Sequence, residues 1–102
     1  MHALVVTFES AATLDALAEP FAAYARALRT VPGLRATTWL HAGAILGGFH
    51  LFASRQAAEA YLRSELVACL TANPAFTRFR IEHYAVLDEL SRLTGSPRPN
   101  AG

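Results

Sequence analysis

The sequence predicts a single α+β domain with the element order β-α-β-β-α-β. Three observations carry this prediction. The chain has 102 residues, which is the size of one domain. Stretches of apolar and β-branched residues, typical of strands, alternate with stretches in which apolar side chains recur every three or four residues, typical of helices. Proline and glycine lie at the junctions and mark turns.

The first two elements are a strand and a long helix. Residues 2–8 carry apolar side chains on both parities, as in a central strand that is buried on both faces. Residues 11–30 have the apolar spacing of an amphipathic helix. Pro20 lies inside this pattern, so the helix either kinks there or begins regularly only at Glu19. Pro32 and the glycine after it end the helix.

A hairpin and a second helix follow. Residues 34–41 and about 44–53 are predicted strands, and Ala42-Gly43 is the turn between them. Ser54 is a suitable N-cap for one second helix, which we expect to continue until Asn73-Pro74 stops it.

The last strand is predicted from about residue 76 to residue 87, and residues 88–93 can add one helical turn. Residues 96–102 contain two prolines and a terminal glycine, so we expect a disordered C-terminal tail. The predicted domain therefore covers residues 1–95.

This element order is that of the ferredoxin-like fold, an antiparallel sheet with both helices on one face because the crossovers are right-handed. The other face of the sheet is left bare. Strands one and three carry bulky apolar side chains on both parities, so a monomer would expose a large apolar patch. Packing this face against a second copy predicts an obligate homodimer.

Composition excludes several classes of function. The formal net charge is only +1 and the arginines are dispersed, so we expect no binding to nucleic acid. No apolar run approaches the ~20 residues of a membrane span, which predicts a soluble cytoplasmic protein that does not bind membranes. All nine basic residues are arginines, which excludes Schiff-base chemistry on lysine. Cys69 is the only cysteine, which suits a reducing cytoplasm, and we expect it to be buried.

Several motifs together resemble one family. They are Pro32-Gly33 ahead of Trp39, the stretch GGFHLFAS at 47–54, AAEAYL at 57–62 and VLDELS at 86–91. The chain resembles the YdhR-like monooxygenase family, relatives of the antibiotic biosynthesis monooxygenases with the dimeric α/β-barrel fold. The resemblance extends from Leu4 to Thr94 and rests mainly on structural glycines and packing positions. It implies a homodimer in which two sheets form a barrel, with a small-molecule pocket between sheet and helices in each subunit.

The resemblance also implies an activity. Better-studied relatives oxidise polycyclic phenols with dioxygen and without metal or flavin. The implied function is therefore a cofactor-independent monooxygenase that acts on a small hydrophobic substrate, aromatic or polyketide-like, with dioxygen as the second partner. A non-oxidative cyclase, isomerase or lyase, a small-molecule-binding dimer without catalysis, and a haem-degrading protein remain open alternatives on the same fold. No metal or flavin is expected, because one cysteine and four scattered histidines provide no assembled ligand set.

A cofactor-free oxygenase must form a substrate anion, keep it away from water and stabilise the negative charge that develops. His83 and His50 are the candidate bases, because both lie among apolar neighbours in predicted strands; buried structural histidines are the alternative. His83 is expected to face the helices, since its parity is the more apolar one. The candidate substrate-binding residues are Trp39, Phe49, Phe52 and Phe79 as aromatic walls, and Tyr61, Arg80 and Tyr84 as hydrogen-bond donors.

The remaining titratable and glycine-rich features have plainer interpretations. His2, near the terminus, and His41, near the turn, are expected to be solvated. Gly47-Gly48 is predicted to be a bulge or a site of close backbone approach that leaves room for a ligand, since the stretch does not lead into a helix as a phosphate loop does. Arg80 and Glu82 can also form an ion pair between subunits.

Overall fold

Eight elements follow one another along residues 1–95, the part of the chain that the computed structural model describes. The predicted order is confirmed, with the second helix divided in two and a short helix added at the end. The predicted disordered tail, residues 96–102, lies outside the described residues. The elements are β1 (His2–Glu9), α1 (Leu14–Leu28), β2 (Leu34–Ala42), β3 (Ile45–Phe52), α2 (Arg55–Leu62), α3 (Glu65–Ala72), β4 (Thr77–Ala85) and α4 (Asp88–Leu93).

The four strands form one antiparallel sheet in the order β2-β3-β1-β4. This is the predicted ferredoxin-like arrangement, and it places β1 in the interior of the sheet. Ala3 and Leu4, which point to opposite faces, are both buried, so the prediction of a central strand buried on both faces is confirmed. Leu4 is paired with His50 on one side and with His83 on the other.

The two faces of the sheet differ in what covers them. Leu28 of α1, Ala58 of α2 and Val67 of α3 pack in one core cluster with Leu4 and Phe52. We call this side the helix-covered face. Directly paired residues of antiparallel strands point to the same side, so Gly48 and His50, partners of Val6 and Leu4, belong to the helix-covered face as well.

The opposite side, which we call the open face, lies away from α1, α2 and α3. The N-terminal amine of Met1 donates to the Asp88 carboxylate at 3.0 Å, which ties the start of α4 to the beginning of β1. Large apolar side chains are exposed on the open face and along α4; they are Leu40, Ile45, Phe49, Tyr84, Leu87, Leu90 and Leu93.

Helix α1 begins at Leu14, before the later of the two starts that the sequence allowed. The Thr13 hydroxyl accepts a hydrogen bond from the amide of Ala16 at 3.1 Å and caps the helix. Pro20 therefore lies inside α1, and a regular start at Glu19 is wrong. The cap satisfies a first-turn amide well before the proline is reached, so the helix is already established at that point.

The prediction of one continuous second helix after Ser54 is wrong. Ser54 does cap α2, as predicted, through a 3.1 Å bond from the amide of Ala57. The chain then breaks at Ser64, whose backbone is extended and whose hydroxyl donates to the carbonyl of Tyr61 at 2.6 Å. The same hydroxyl accepts from the amide of Val67 at 3.4 Å, so it ends one helix and caps the next. Three helices rather than two therefore cover the sheet.

Two burial predictions are wrong and one is confirmed. Cys69 is exposed, because α3 turns Val67 rather than Cys69 toward the core. His2 is buried instead of solvated, since it lies on the helix-covered face beside β4. His41 is exposed, as predicted from its place near the hairpin turn. Among residues 1–95, no helix is both long and apolar enough to cross a membrane.

Candidate functional site

A cavity lies between the helix-covered face and helices α1, α2 and α3. Its atom-free space, counted with the open mouth, is about 380 Å³, but the space that the centre of a water molecule can occupy is only about 30 Å³. The cavity is therefore narrow, and its walls are apolar and rich in rings. The lining residues are Val6, Phe8, Phe21, Tyr24, Leu28, Trp39, Gly47, Gly48, His50, Tyr61 and Leu70.

His50 is the basic group of this cavity. It lies on β3 opposite Leu4 and is only 5% exposed. Burial in this apolar place lowers the pKa of the imidazole to about 4, so His50 is neutral at neutral pH. The Nδ1 atom is 3.0 Å from the hydroxyl oxygen of Thr37 on β2. No hydrogen bond within residues 1–95 occupies Nε2, which remains for a ligand.

The hydrogen bond between Thr37 and His50 sets the chemistry of Nε2. If Nδ1–H donates to the Thr37 hydroxyl, Nε2 carries a lone pair and can accept a proton from a ligand. If the hydroxyl donates to Nδ1 instead, Nε2 carries the proton and acts as a hydrogen-bond donor. The site can therefore provide either a general base or a donor, depending on the direction of one hydrogen bond.

Two tyrosine hydroxyls form the second polar feature of the wall. The hydroxyl oxygens of Tyr24 on α1 and Tyr61 on α2 are 2.6 Å apart. Burial raises the pKa of both phenols, so both hydroxyls stay protonated at neutral pH. The ring of Tyr61 is next to the imidazole of His50, with ring centroids 5.5 Å apart.

Aromatic rings and an absence of charge define the rest of the cavity. The rings of Phe21 and Trp39 have centroids 5.2 Å apart, and Tyr24 meets Trp39 edge to face at 6.3 Å. Trp39 is 41% exposed, which places it at the mouth. No arginine, aspartate or glutamate is among the lining residues in the described part of the chain. A neutral, apolar ligand suits such a wall, because an ionised one would be buried without a partner.

The two adjacent glycines of β3 make room for this arrangement. A Cβ atom on Gly47 would lie 2.0 Å from the carbonyl oxygen of Val6, so the backbones of β1 and β3 approach too closely for any side chain. The predicted site of close approach is confirmed. A Cβ atom on Gly48 would lie 3.2 Å from Nε2 of His50, so this glycine leaves the imidazole and the cavity floor free.

The structure brings three of the nine predicted site residues to the cavity: His50, Trp39 and Tyr61. Phe52 is fully buried in the core, where its ring packs 5.6 Å from the ring of Tyr61. Phe79 packs against Phe8 at 5.2 Å, in a second core cluster. These two phenylalanines support the cavity from behind without lining it.

The other four predicted residues lie elsewhere. His83 does face the helices, as its parity predicted, but it lies on β4, which is an edge strand. Its imidazole pairs with His2, and Nδ1 of His83 is 2.8 Å from Nε2 of His2. Phe49, Arg80 and Tyr84 belong to the open face. There Arg80 and Tyr84 both contact the Glu82 carboxylate, at 3.4 and 2.8 Å. The structure does not bring these four side chains to the cavity.

Three residues of the site are not predicted as site residues by the sequence pattern. Helical periodicity identifies Phe21 and Tyr24 only as part of the apolar face of α1, although their spacing of three puts both rings on the same side of the helix, where they line the cavity. Thr37 shares the parity of Trp39 on β2, and this alternation was the available signal for its orientation. Within residues 1–95, no three His, Cys, Asp or Glu side chains come together as a metal-binding group.

Comparison with known proteins identifies relatives of this chain. A family model described as "Putative mono-oxygenase ydhR" matches residues 3–97. No curated protein matches the chain. Among solved structures, a protein of unknown function from Nitrosomonas europaea is 27% identical, with a TM-score of 0.72 and coverage of 84% of this chain and 88% of that chain.

Two further solved structures are more distant in sequence and show the fold alone. The cofactor-independent oxygenase SnoaB from Streptomyces nogalater is 16% identical, with a TM-score of 0.67 and coverage of 83% of this chain and 91% of that chain. The heme-degrader MhuD from Mycobacterium tuberculosis, solved with two hemes in its active site, is 19% identical, with a TM-score of 0.66 and coverage of 85% and 96%.

Proposed function

The chain belongs to the family described as "Putative mono-oxygenase ydhR", and from this premise we propose that it is a monooxygenase that uses dioxygen, without metal or organic cofactor, on a small neutral aromatic substrate. The single observation that carries the proposal is the cavity on the helix-covered face. Its walls are aromatic, and the one side chain there that can accept a proton at neutral pH is His50.

The proposed reaction begins with proton transfer from an acidic C–H or O–H group of the substrate to Nε2 of His50. The substrate anion then passes an electron to dioxygen, and the two combine in a carbon–oxygen bond to give a peroxide. The peroxide takes the proton back from the imidazolium, and loss of water across the O–O bond leaves a carbonyl. In total, a CH₂ group and O₂ become a C=O group and water, so atoms and electrons balance without another oxidant.

The low pKa of His50 means that only a substrate with an acidic proton can react. A base with a pKa of about 4 is a weak proton acceptor, so the substrate proton must be acidic in the site. Aromatic enols and phenols with extended conjugation have the most acidic protons among neutral aromatic molecules, and donors around the oxygen would stabilise the anion further. Stacking on Phe21, Tyr24 and Trp39 would hold such a flat molecule at the mouth of the cavity.

The absence of charge along the wall favours this substrate over haem. Two propionates need cationic partners, and no arginine is among the lining residues in the described part of the chain, which itself has no lysine. We therefore place haem degradation behind the monooxygenase, although MhuD shares the fold. A Soret band that shifts on addition of the protein to haemin would reverse this order.

We propose His50 rather than His83 as the base, because His83 is engaged by His2 at the edge of the sheet. We also propose that Phe49, Arg80 and Tyr84 serve the contact between subunits rather than the substrate, since they lie on the open face. A non-oxidative cyclase, isomerase or lyase would use the same cavity and base; the difference is that it would consume no dioxygen.

The open face supports a homodimer, which is the second part of the proposal. In one chain it exposes Ile45 at 45% and Phe49 at 39%, and Leu90 of α4 at 61%, an apolar surface that a second copy would cover. Light scattering should give twice the chain mass of 11.0 kDa, and a Phe49→Asp variant should shift toward the monomer. A folded wild-type monomer at micromolar concentration would refute the dimer.

The cytoplasm is the proposed location. The only cysteine of the chain is exposed on α3, and a free exposed thiol persists in a reducing compartment. Fractionation of expressing cells with an antibody to the protein would test this placement, and enrichment in an oxidising compartment would contradict it.

Dioxygen consumption tests the proposed activity directly. Purified protein treated with a metal chelator would be mixed with a panel of phenols and anthrone-like compounds in an oxygen electrode. The proposal predicts that at least one compound drives oxygen uptake with one carbonyl formed per O₂. Product formation without oxygen uptake would favour the cyclase, isomerase or lyase, and binding without any product would favour the non-catalytic dimer.

A further inference from the structure

The tyrosine pair on the wall of the cavity has no role in the proton transfer to His50, yet it is one of the few polar features there. The Tyr24 and Tyr61 hydroxyl oxygens are 2.6 Å apart, and both side chains line the cavity. A hydrogen bond between two hydroxyls uses one proton, so the accepting hydroxyl keeps its own proton for a further partner. The pair therefore has one unused donor.

Burial indicates which of the two hydroxyls keeps the unused proton. Tyr61 is 3% exposed, and the Tyr24 hydroxyl is its hydrogen-bond partner within residues 1–95. Tyr24 is only half-buried and stands nearer to the mouth, where its ring meets Trp39. A buried hydroxyl proton without a partner is costly, so the deeper hydroxyl, that of Tyr61, donates to the Tyr24 oxygen. The proton of Tyr24 is then available to a molecule in the cavity.

The bond from Tyr61 also strengthens Tyr24 as a donor. Hydrogen bonds in a chain polarise one another, so a hydroxyl that accepts one bond donates a stronger one. The apolar surroundings increase the effect, because they hold little competing water. Burial raises the pKa of Tyr24 and has the larger effect. The hydrogen bond with Tyr61 acts in the opposite direction and lowers this pKa, because it stabilises negative charge on the Tyr24 oxygen.

We propose that Tyr24 is a catalytic residue whose hydroxyl donates a hydrogen bond to an oxygen atom of the bound ligand, and that Tyr61 is the positioning residue that orients it. The chemical class of the ligand follows: a neutral aromatic molecule that carries a hydroxyl or carbonyl oxygen. The inference rests on the proposed function only in taking the cavity as the ligand site. When the ligand loses a proton to His50, the donor stabilises the negative oxygen that remains.

A pair of probes that differ by one oxygen atom tests this inference without knowledge of the substrate. The probes are 2-naphthol and naphthalene, and their dissociation constants would be measured by fluorescence with the wild-type protein, Tyr24→Phe and Tyr61→Phe. We expect the wild type to bind 2-naphthol about tenfold more tightly than naphthalene, which corresponds to one net hydrogen bond. In Tyr24→Phe this preference should vanish, while the affinity for naphthalene stays the same.

Tyr61→Phe should keep part of the preference, because the Tyr24 hydroxyl remains but is no longer oriented. Tyr84→Phe is the matched control: it removes a tyrosine hydroxyl that bonds Glu82 on the open face, and it should leave both affinities unchanged. Melting temperatures of all variants would confirm folding, and the comparison of two probes on the wild type stands even if one variant fails to fold.

Three results would overturn the inference. They are equal affinity of the wild type for the two probes, a preference for 2-naphthol that survives in Tyr24→Phe, and no binding of either probe. The outcome is separable from that of the oxygen-uptake experiment. A preference for 2-naphthol that depends on Tyr24, in a protein that consumes no dioxygen with any compound, would keep this inference and reject the monooxygenase.

Discussion

His50 and His83 occupy matching places on the sheet and have different surroundings. Both are paired with Leu4, one from β3 and one from β4, and both point to the helix-covered face. His50 lies under the helices, is 5% exposed and lines the cavity. His83 lies on the edge strand, where its Nδ1 is 2.8 Å from Nε2 of His2.

The position of a strand in the sheet, and not the face alone, therefore determines what a side chain can do. The partner of His50 is a hydroxyl that leaves Nε2 to a ligand, whereas the partner of His83 is a second imidazole that ties two strands together. The first arrangement suits chemistry on a bound molecule and the second suits stability.

The largest expected effect separates the two histidines by activity. His50→Gln keeps the size of the side chain and one hydrogen bond but removes the proton acceptor, so oxygen uptake should fall by ~100-fold or more. His83→Gln should leave turnover within about twofold. Both variants would be assayed with the best compound of the panel at equal folded concentration. Equal losses, or a larger loss in His83→Gln, would show that His50 is not the base.

The second effect is on stability in acid. An unfolded histidine has a pKa near 6.5, and burial lowers that of His50 to about 4. Below pH 6.5 the histidine of the unfolded chain binds a proton that folded His50 does not bind. The free energy of unfolding therefore decreases as the pH is lowered, and the decrease levels off below about pH 4.

Urea unfolding at pH 7.5 and pH 4.5 would measure this effect. The contributions of other titrating groups to the pH dependence cancel when the wild type is compared with the variants. The wild type should lose about 2 to 3 kcal/mol more than His50→Gln between the two values. His83→Gln serves as the matched control and should keep the His50 component. Parallel losses in the wild type and His50→Gln would show that His50 is not the buried group described.

A smaller effect is expected from Thr37, which orients the imidazole. Thr37→Val keeps the shape but removes the hydroxyl that lies 3.0 Å from Nδ1. In the proposed mechanism this hydroxyl accepts from Nδ1–H, so its loss should make the proton-accepting form of Nε2 less populated and lower turnover about tenfold. Thr37→Ser retains the hydroxyl and should restore most of the activity. An inactive Thr37→Ser together with an active Thr37→Val would contradict the role of this hydrogen bond.

The smallest effect concerns the edge of the sheet. His83→Ala leaves the buried Nε2 of His2 without its partner, so the free energy of unfolding should fall by about 1 kcal/mol while turnover is unchanged. His41→Ala, which removes an exposed imidazole, is the control and should leave stability unaltered. A drop in turnover that follows His83 at unchanged stability would move His83 into the active site.

The alternation of side chains was enough to predict the sheet and the faces of its strands. It correctly placed His83 on the side of the helices and identified β1 as a central strand. The alternation could not predict which parts of the sheet the helices cover. The place of β4 at the edge of the sheet depends on pairings between residues that are distant in sequence. Likewise, Ser64 divides the second helix through a hydroxyl contact with Tyr61 that helical periodicity does not encode.

The candidate site was predicted only in part for the same reason. His50, Trp39 and Tyr61 meet in the cavity because side chains of α1 and α2 line it together with Gly47 and Gly48 of β3, a tertiary arrangement that requires the glycines as well as the periodic side chains. Tyr24 and Thr37 became visible as site residues only through hydrogen bonds to Tyr61 and His50, across sequence separations of 37 and 13 residues.

The central claim, that the ligand site is at His50 and not at His83, can be tested most directly by NMR of protein labelled with ¹⁵N in its histidines. Spectra would be recorded at pH 7 before and after addition of 2-naphthol. We expect His50 to be neutral with its proton on Nδ1, and its resonances to shift on binding while those of His83 do not. Shifts confined to His83, with His50 unchanged, would contradict it.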